Sequence, residues 1–152
     1  MELQIGDKAP NFSLPNQDNA EISLQDFRGS WVVLYFYPKD KTPGCTQEAC
    51  DFRDNLANLS GLNAVVLGVS PDSVKTHQSF IDKESLNFTL LSDTDKKALK
   101  AYGAWGLKKL YGKEYEGVIR STFVIDTPGK IAFLWTIVIV KGHLHAFKVN
   151  LQ

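Results

Sequence analysis

The chain has 152 residues, with 17 basic and 17 acidic side chains and a formal net charge of +0. This length suits one domain with one core, so we predict a single domain over residues 1–152. The balanced charge argues against nucleic acid and anionic membranes as partners. The longest apolar run, residues 131–140, is too short to cross a bilayer, and no signal-peptide pattern is visible, so we expect a cytoplasmic protein.

The first predicted elements are two short extended segments, residues 11–14 and 21–24, around a turn at residues 15–19. Two runs rich in β-branched and aromatic residues follow, at residues 31–37 and 64–69. Because both runs are apolar on both faces, we predict central strands that helices cover on each side.

Three helices are predicted between and after these strands. Residues 45–59 place apolar side chains at a spacing of three and four, and residues 73–84 follow the second strand. Residues 96–102 follow a capping segment at residues 93–95, and Gly103 is placed to end that helix.

The last third of the chain predicts a β-hairpin. Residues 121–126 and 130–139 form the two strands, and Thr127-Pro128-Gly129 forms the turn. Alternating strands and helices followed by a hairpin predict an α/β fold with a mixed central sheet flanked by helices, preceded by an N-terminal β-hairpin. The pattern leaves the strand order open.

The two cysteines of the chain, Cys45 and Cys50, follow the apolar run at residues 31–37, where the first predicted helix begins. Thr42 is a suitable N-cap and Pro43 a favoured first helical residue, so Cys45 is expected at the third helical position. Free N–H groups and the positive end of the helix dipole favour a thiolate there, and the thiolate is the nucleophile. In a reducing compartment such a pair favours catalysis over a structural disulfide. The alternative is two small, buried, inert side chains.

The spacing of the two cysteines restricts how they can react with each other. In an intact helix, Cα atoms five residues apart are roughly 8.7 Å apart. A disulfide needs Cα atoms within about 7 Å of each other. We therefore expect that Cys45 and Cys50 form a disulfide only if at least one helical turn unwinds.

Several sequence blocks carry a family resemblance. The motif Pro38-x-x-x-Thr42-x-x-Cys45 resembles the active-site motif of peroxiredoxins. The blocks that resemble the bacterioferritin comigratory protein, or peroxiredoxin Q, branch are GDKAPNFSLP, VVLYFYPKD, TPGCTQEACDFRD, VVLGVSPDS, LLSDTD, YGKEYEGVIRSTFVID and KGH. The resemblance implies a thioredoxin-like fold and a thiol-dependent peroxidase, with no metal, haem or flavin.

The resemblance also implies a role for each matched residue. Cys45 matches the peroxidatic cysteine and Cys50 the resolving cysteine of an intramolecular two-Cys enzyme. Pro38 matches the residue that shields the thiolate from water, and Thr42 the hydroxyl that hydrogen-bonds to it. Arg120 matches the arginine that orients thiolate and peroxide.

Two further residues belong to this implied site or border it. Gly44 is expected to line the substrate site together with Cys45. For Glu48 the sequence leaves two interpretations open, a role in the site or a carboxylate that complements the helix dipole. By family analogy the enzyme is recycled by thioredoxin or a similar dithiol reductant.

Other patterns carry weaker implications. The apolar residues Ile137 and Ile139 leave open a weak dimer, whereas the family implies a monomer. His143 and His145 make a poor metal site without nearby Cys or carboxylates, and His77 has no obvious partner. Residues 106–113 lack the spacing of a phosphate-binding loop.

The sequence leaves two rival functions open. A thioredoxin-like disulfide exchanger acts on protein thiols, but the chain has no C-x-x-C motif. A redox-sensing module would use oxidation of Cys45 to change its affinity for a partner. Catalytic turnover with a reductant separates sensing from peroxidase activity.

Overall fold

The computed structural model describes residues 3–110 and 112–136. Two short strands come first, strands and helices then alternate, and further strands end the described part of the chain. The elements in chain order are β1 (Ser13–Pro15), β2 (Glu21–Ser23), a 3₁₀ turn (Leu24–Phe27), β3 (Trp31–Phe36), α1 (Pro43–Ser60), β4 (Ala64–Ser70), α2 (Val74–Glu84), β5 (Thr89–Ser92), α3 (Lys97–Ala101), β6 (Trp105–Leu110), β7 (Lys113–Val118), β8 (Ser121–Ile125) and β9 (Ile131–Thr136). Within the described ranges no helix has both the length and the apolar character needed to cross a membrane.

The central sheet has five strands in the order β5-β4-β3-β8-β9. Strands β3, β4 and β5 are parallel, and α1 and α2 provide the long connections that parallel neighbours need. Strand β8 is antiparallel to β3, and β9 is antiparallel to β8. The sheet is therefore mixed, with β3 at its centre, and the predicted α/β fold is confirmed.

Strand β3 separates two parts of the core, because successive side chains of a strand point to opposite faces. Leu34 and Phe36 are buried in one hydrophobic cluster, and Tyr35 and Tyr37 in the other. Tyr35 stacks on Phe52 of α1, with ring centroids 4.7 Å apart. This packing holds α1 against one face of the sheet, so that its first turn lies at the carboxyl end of β3.

Most predicted elements lie within a few residues of their expected positions. Strands β1 and β2 form the expected antiparallel N-terminal hairpin. Strands β8 and β9 form the second expected hairpin, and β9 is described as far as Thr136. Ile137 and Ile139 lie outside the described residues.

Two parts of the fold carry no clear sequence signal. Strand β5 has four residues, too few to establish a period. Strands β6 and β7 form an antiparallel hairpin in which Gly106 faces Gly117. Glycines weaken a strand pattern, so this hairpin resembles a loop when it is judged from local sequence alone.

Candidate active site

The first turn of α1 holds Cys45. The helix begins at Pro43, as the sequence predicts, and Cys45 is its third residue. The Thr42 carbonyl accepts a hydrogen bond from the Thr46 N–H at 2.8 Å. The Cys45 side chain is buried, with 1% of its surface exposed. The thiol therefore lies at the positive end of an 18-residue helix, shielded from most of the solvent.

Arg120 brings a positive charge to this thiol. It lies between β7 and β8, and its Nη2 donates to Cys45 Sγ at 3.1 Å. Its Nη1 donates to Glu48 Oε1 at 2.6 Å. Although burial lowers the pKa of Arg120, Glu48 and Cys45 raise it above its ordinary value. One planar guanidinium thus contacts the sulfur and a carboxylate together, which a lysine ammonium does not reproduce.

Glu48 is a buried member of the site. Its side chain is 1% exposed, so it is not a surface carboxylate that serves only the helix dipole. Burial raises the pKa of Glu48 to about 7, and Arg120 opposes this rise. A buried carboxylate on the far side of Arg120 orients the guanidinium towards Cys45 and shares its charge.

The segment between β3 and α1 carries the other matched residues. Pro38 is half-buried, two residues after the end of β3, and Thr42 Oγ1 donates to the Lys39 carbonyl at 3.0 Å. A Cβ atom on Gly44 would lie 3.5 Å from Arg120 Nη2, which places Gly44 beside the guanidinium. The fold therefore brings Pro38, Thr42, Gly44 and Arg120 to the same end of α1 as Cys45.

The same segment makes a buried contact that sequence patterns do not indicate. His77 of α2 is fully buried, and its Nδ1 lies 2.6 Å from Asp40 Oδ2. No partner of His77 is obvious in the sequence, and the structure supplies Asp40. Because 37 residues separate the pair, no local spacing rule could have identified it.

Cys50 lies on another side of α1, facing α2. Its Sγ donates to Glu84 Oε1 at 3.6 Å. Burial raises the pKa of the Cys50 thiol, Arg53 lowers it, and Glu84 raises it further. Both cysteines are free, and α1 continues unbroken past both of them. The structure is therefore that of the reduced, fully wound form.

The described residues contain no group of three or more His, Cys, Asp or Glu side chains placed to hold a metal ion. His143 and His145, the pair that the sequence suggests as a poor metal site, lie outside the described residues.

Comparison with known proteins identifies the family. The AhpC/TSA family profile matches residues 5–134. The putative peroxiredoxin bcp of Coxiella burnetii is 51% identical over 144 residues, which are 95% of each chain. Peroxiredoxin Bcp of Bacillus subtilis is 49% identical over 144 residues, which are 95% of this chain and 92% of that protein.

A solved structure agrees with these sequences. The Xanthomonas campestris bacterioferritin comigratory protein, whose trapped intermediate and ligand complexes concern alkyl peroxide reduction, superposes with a TM-score of 0.88. It is 38% identical, and the match covers 92% of this chain and 89% of that one. The chain belongs to the AhpC/TSA family, within its Bcp/peroxiredoxin Q group. The predicted thioredoxin-like fold and the predicted class, a thiol-dependent peroxidase, are confirmed.

Proposed function

We propose that the chain reduces hydrogen peroxide and organic hydroperoxides at Cys45. The thiolate sulfur attacks one peroxide oxygen, an S–O bond forms, and the O–O bond breaks. The leaving oxygen takes a proton and departs as water or an alcohol, and Cys45 becomes a sulfenic acid. The observation that carries this proposal is the 3.1 Å contact between Arg120 Nη2 and Cys45 Sγ.

The residues around the sulfur have distinct roles in this step. Arg120 stabilises the negative charge that develops on the peroxide oxygens, with help from the Thr42 hydroxyl and the backbone N–H groups near Gly44. Pro38 limits the access of water to the thiolate. Arg120 is already in place beside the sulfur, whereas the Thr42 hydroxyl, which donates to the Lys39 carbonyl, must first turn towards the peroxide.

Cys50 resolves the sulfenic acid. Its thiol sulfur attacks Cys45 Sγ, a disulfide forms, and the hydroxyl leaves as water. The two thiols face different sides of α1, since residues five apart on a helix are rotated by about 140°. The first turns of α1 therefore unwind before this bond forms, and Cys50 leaves its contact with Glu84.

A dithiol reductant, thioredoxin or a similar protein, returns the disulfide to two thiols by exchange. This requirement places the cycle in the cytoplasm, where such reductants keep thiols reduced. A monomer with a weak tendency to dimerise suffices for the cycle, because both cysteines belong to one chain. The cycle uses no metal, haem or flavin.

The test is peroxide-dependent NADPH oxidation with thioredoxin and thioredoxin reductase. We expect turnover in the wild type, none in Cys45→Ser, and a trapped sulfenic acid in Cys50→Ser. Normal turnover in Cys50→Ser would show that the reductant attacks Cys45 directly and would overturn the resolving role. Disulfide formation in the wild type without turnover would instead indicate a sensor.

A further inference from the structure

A buried polar cluster lies beside the active-site segment but outside the peroxide site. Asp40 is 6% exposed and His77 is fully buried. Asp40 Oδ2 lies 2.6 Å from His77 Nδ1, and Asp40 Oδ1 accepts a hydrogen bond from the Tyr37 hydroxyl at 2.6 Å. Neither Asp40 nor His77 takes part in the chemistry described above.

The contacts of His77 determine where its protons lie. Its Nε2 is 3.0 Å from the carbonyl oxygen of Leu91. A carbonyl oxygen only accepts, so Nε2 carries a proton. The contact between Nδ1 and the Asp40 carboxylate needs a second proton, because two bare acceptors would repel each other at this distance. Asp40 and His77 are therefore joined by a buried hydrogen bond that is shielded from water.

Further contacts connect the active-site segment to α2 and to the residues before it. The Asp40 backbone N–H donates to Asp72 Oδ2 at 2.7 Å, and Lys41 Nζ hydrogen-bonds to Ser79 Oγ. The segment that these contacts hold runs from the end of β3 to Pro43, the first residue of α1. It is the segment that carries Pro38 and Thr42.

We propose that Asp40 and His77 are positioning residues that favour the folded, peroxide-reducing form of the site over the unwound, disulfide-forming form. This inference rests on the proposed two-step function. Contacts that hold residues 37–42 in place stabilise the start of α1, where Cys45 must remain to react with peroxide. The same contacts oppose the unwinding that brings Cys50 to Cys45. Weakening the pair therefore slows the first step and accelerates the second.

Two substitutions of His77, to side chains of similar size, distinguish this positioning role from a role in core packing alone. His77→Asn keeps an amide nitrogen near the position of Nδ1, where it can donate to Asp40. His77→Gln keeps a nitrogen near the position of Nε2, where it can donate to Leu91, but loses the contact with Asp40. A role in packing alone predicts similar effects of the two changes.

The rates of both steps are measured on the full chain by rapid mixing with hydrogen peroxide, thiol alkylation and mass spectrometry. Cys50→Ser isolates the oxidation of Cys45, and the two-cysteine chain reports disulfide formation. In His77→Gln we expect slower oxidation, and disulfide formation that is faster by about tenfold, the effect of losing one buried hydrogen bond. His77→Asn should stay within about threefold of wild type in both steps, since it retains the donor.

Equal effects of the two substitutions, or a His77→Gln variant that slows both steps, would overturn the proposal. Asp40→Asn provides a second test if His77→Gln does not fold, and it should change the two rates in opposite directions. Failure of the proposed function itself would give a different result in the same experiments. In that case the wild type itself forms no sulfenic acid at Cys45 or no disulfide with Cys50.

Discussion

Arg120 Nη2 lies 3.1 Å from the sulfur of Cys45, although 75 residues separate the two in the chain. The other terminal nitrogen of the same guanidinium contacts Glu48 at 2.6 Å. The cation is thus held from one side by a buried carboxylate while it faces the thiol on the other. This arrangement gives the site a fixed positive charge beside Cys45, where the proposed reaction makes the peroxide oxygens negative.

The substitution Arg120→Lys should lower the second-order rate constant of Cys45 oxidation by about 100-fold, a typical effect of losing one preorganised donor. A single ammonium group cannot contact Glu48 and Cys45 together. The rate is measured by stopped flow with hydrogen peroxide. Arg28→Lys is the matched control, because exposed Arg28 contacts the Pro128 carbonyl and should leave the rate unchanged. A wild-type rate in Arg120→Lys would contradict the role of Arg120.

Glu48 should make the stability of the protein depend on pH. Burial raises the pKa of Glu48 from 4.5 to about 7, and Arg120 opposes the rise. The folded protein therefore holds a proton that the unfolded chain releases at lower pH. The stabilisation from this proton is complete below pH 4.5 and is lost as the pH rises through 7.

The change Glu48→Gln removes this dependence. The free energy of unfolding is measured with urea between pH 4 and 8 for both proteins. As the pH rises, the value for the wild type should fall relative to that of the variant, by at most about 3 kcal/mol. Asp82→Asn, at an exposed position on α2, is the control and should follow the wild type. If the curve of Glu48→Gln runs parallel to that of the wild type, the raised pKa of Glu48 is wrong.

Glu84 should keep the Cys50 thiol protonated. Burial, and then the Glu84 carboxylate, raise the pKa of Cys50, while Arg53 opposes them. In a Cys45→Ser background, Glu84→Gln should shift the pH midpoint of Cys50 alkylation to lower pH. Asp82→Asn, on the same helix, should leave the midpoint in place. An unchanged midpoint in Glu84→Gln would show that Glu84 does not influence the thiol.

The stability of α1 between the cysteines should control the rate of disulfide formation. Gln47 is exposed on this part of the helix. Glycine is less favourable than alanine in a helix by roughly 1 kcal/mol, so Gln47→Gly should form the disulfide about fivefold faster than Gln47→Ala. The two variants are compared after rapid mixing with peroxide. Equal rates would mean that unwinding of this turn does not limit the reaction.

Local sequence rules predicted the parts of the fold with strong periodicity. The apolar residues of β3 and β4 mark central strands, and the Thr42-Pro43 pair marks the start of α1, which places Cys45 in the first turn. These features depend on backbone preferences and burial over a few neighbouring residues. Strand β5 and the β6–β7 hairpin lack such a signal because one is too short and the other contains glycines.

The sequence by itself was enough to propose Cys45 as the nucleophile, to place it at a helix N-terminus, and to predict that this helix must unwind for a disulfide with Cys50. The tertiary structure decided which charges meet that nucleophile. The contact of Arg120 with Cys45 spans 75 residues, and that of His77 with Asp40 spans 37. Such contacts depend on the strand order of the sheet and on how α1 and α2 pack on it, and local preferences of the backbone do not encode that order.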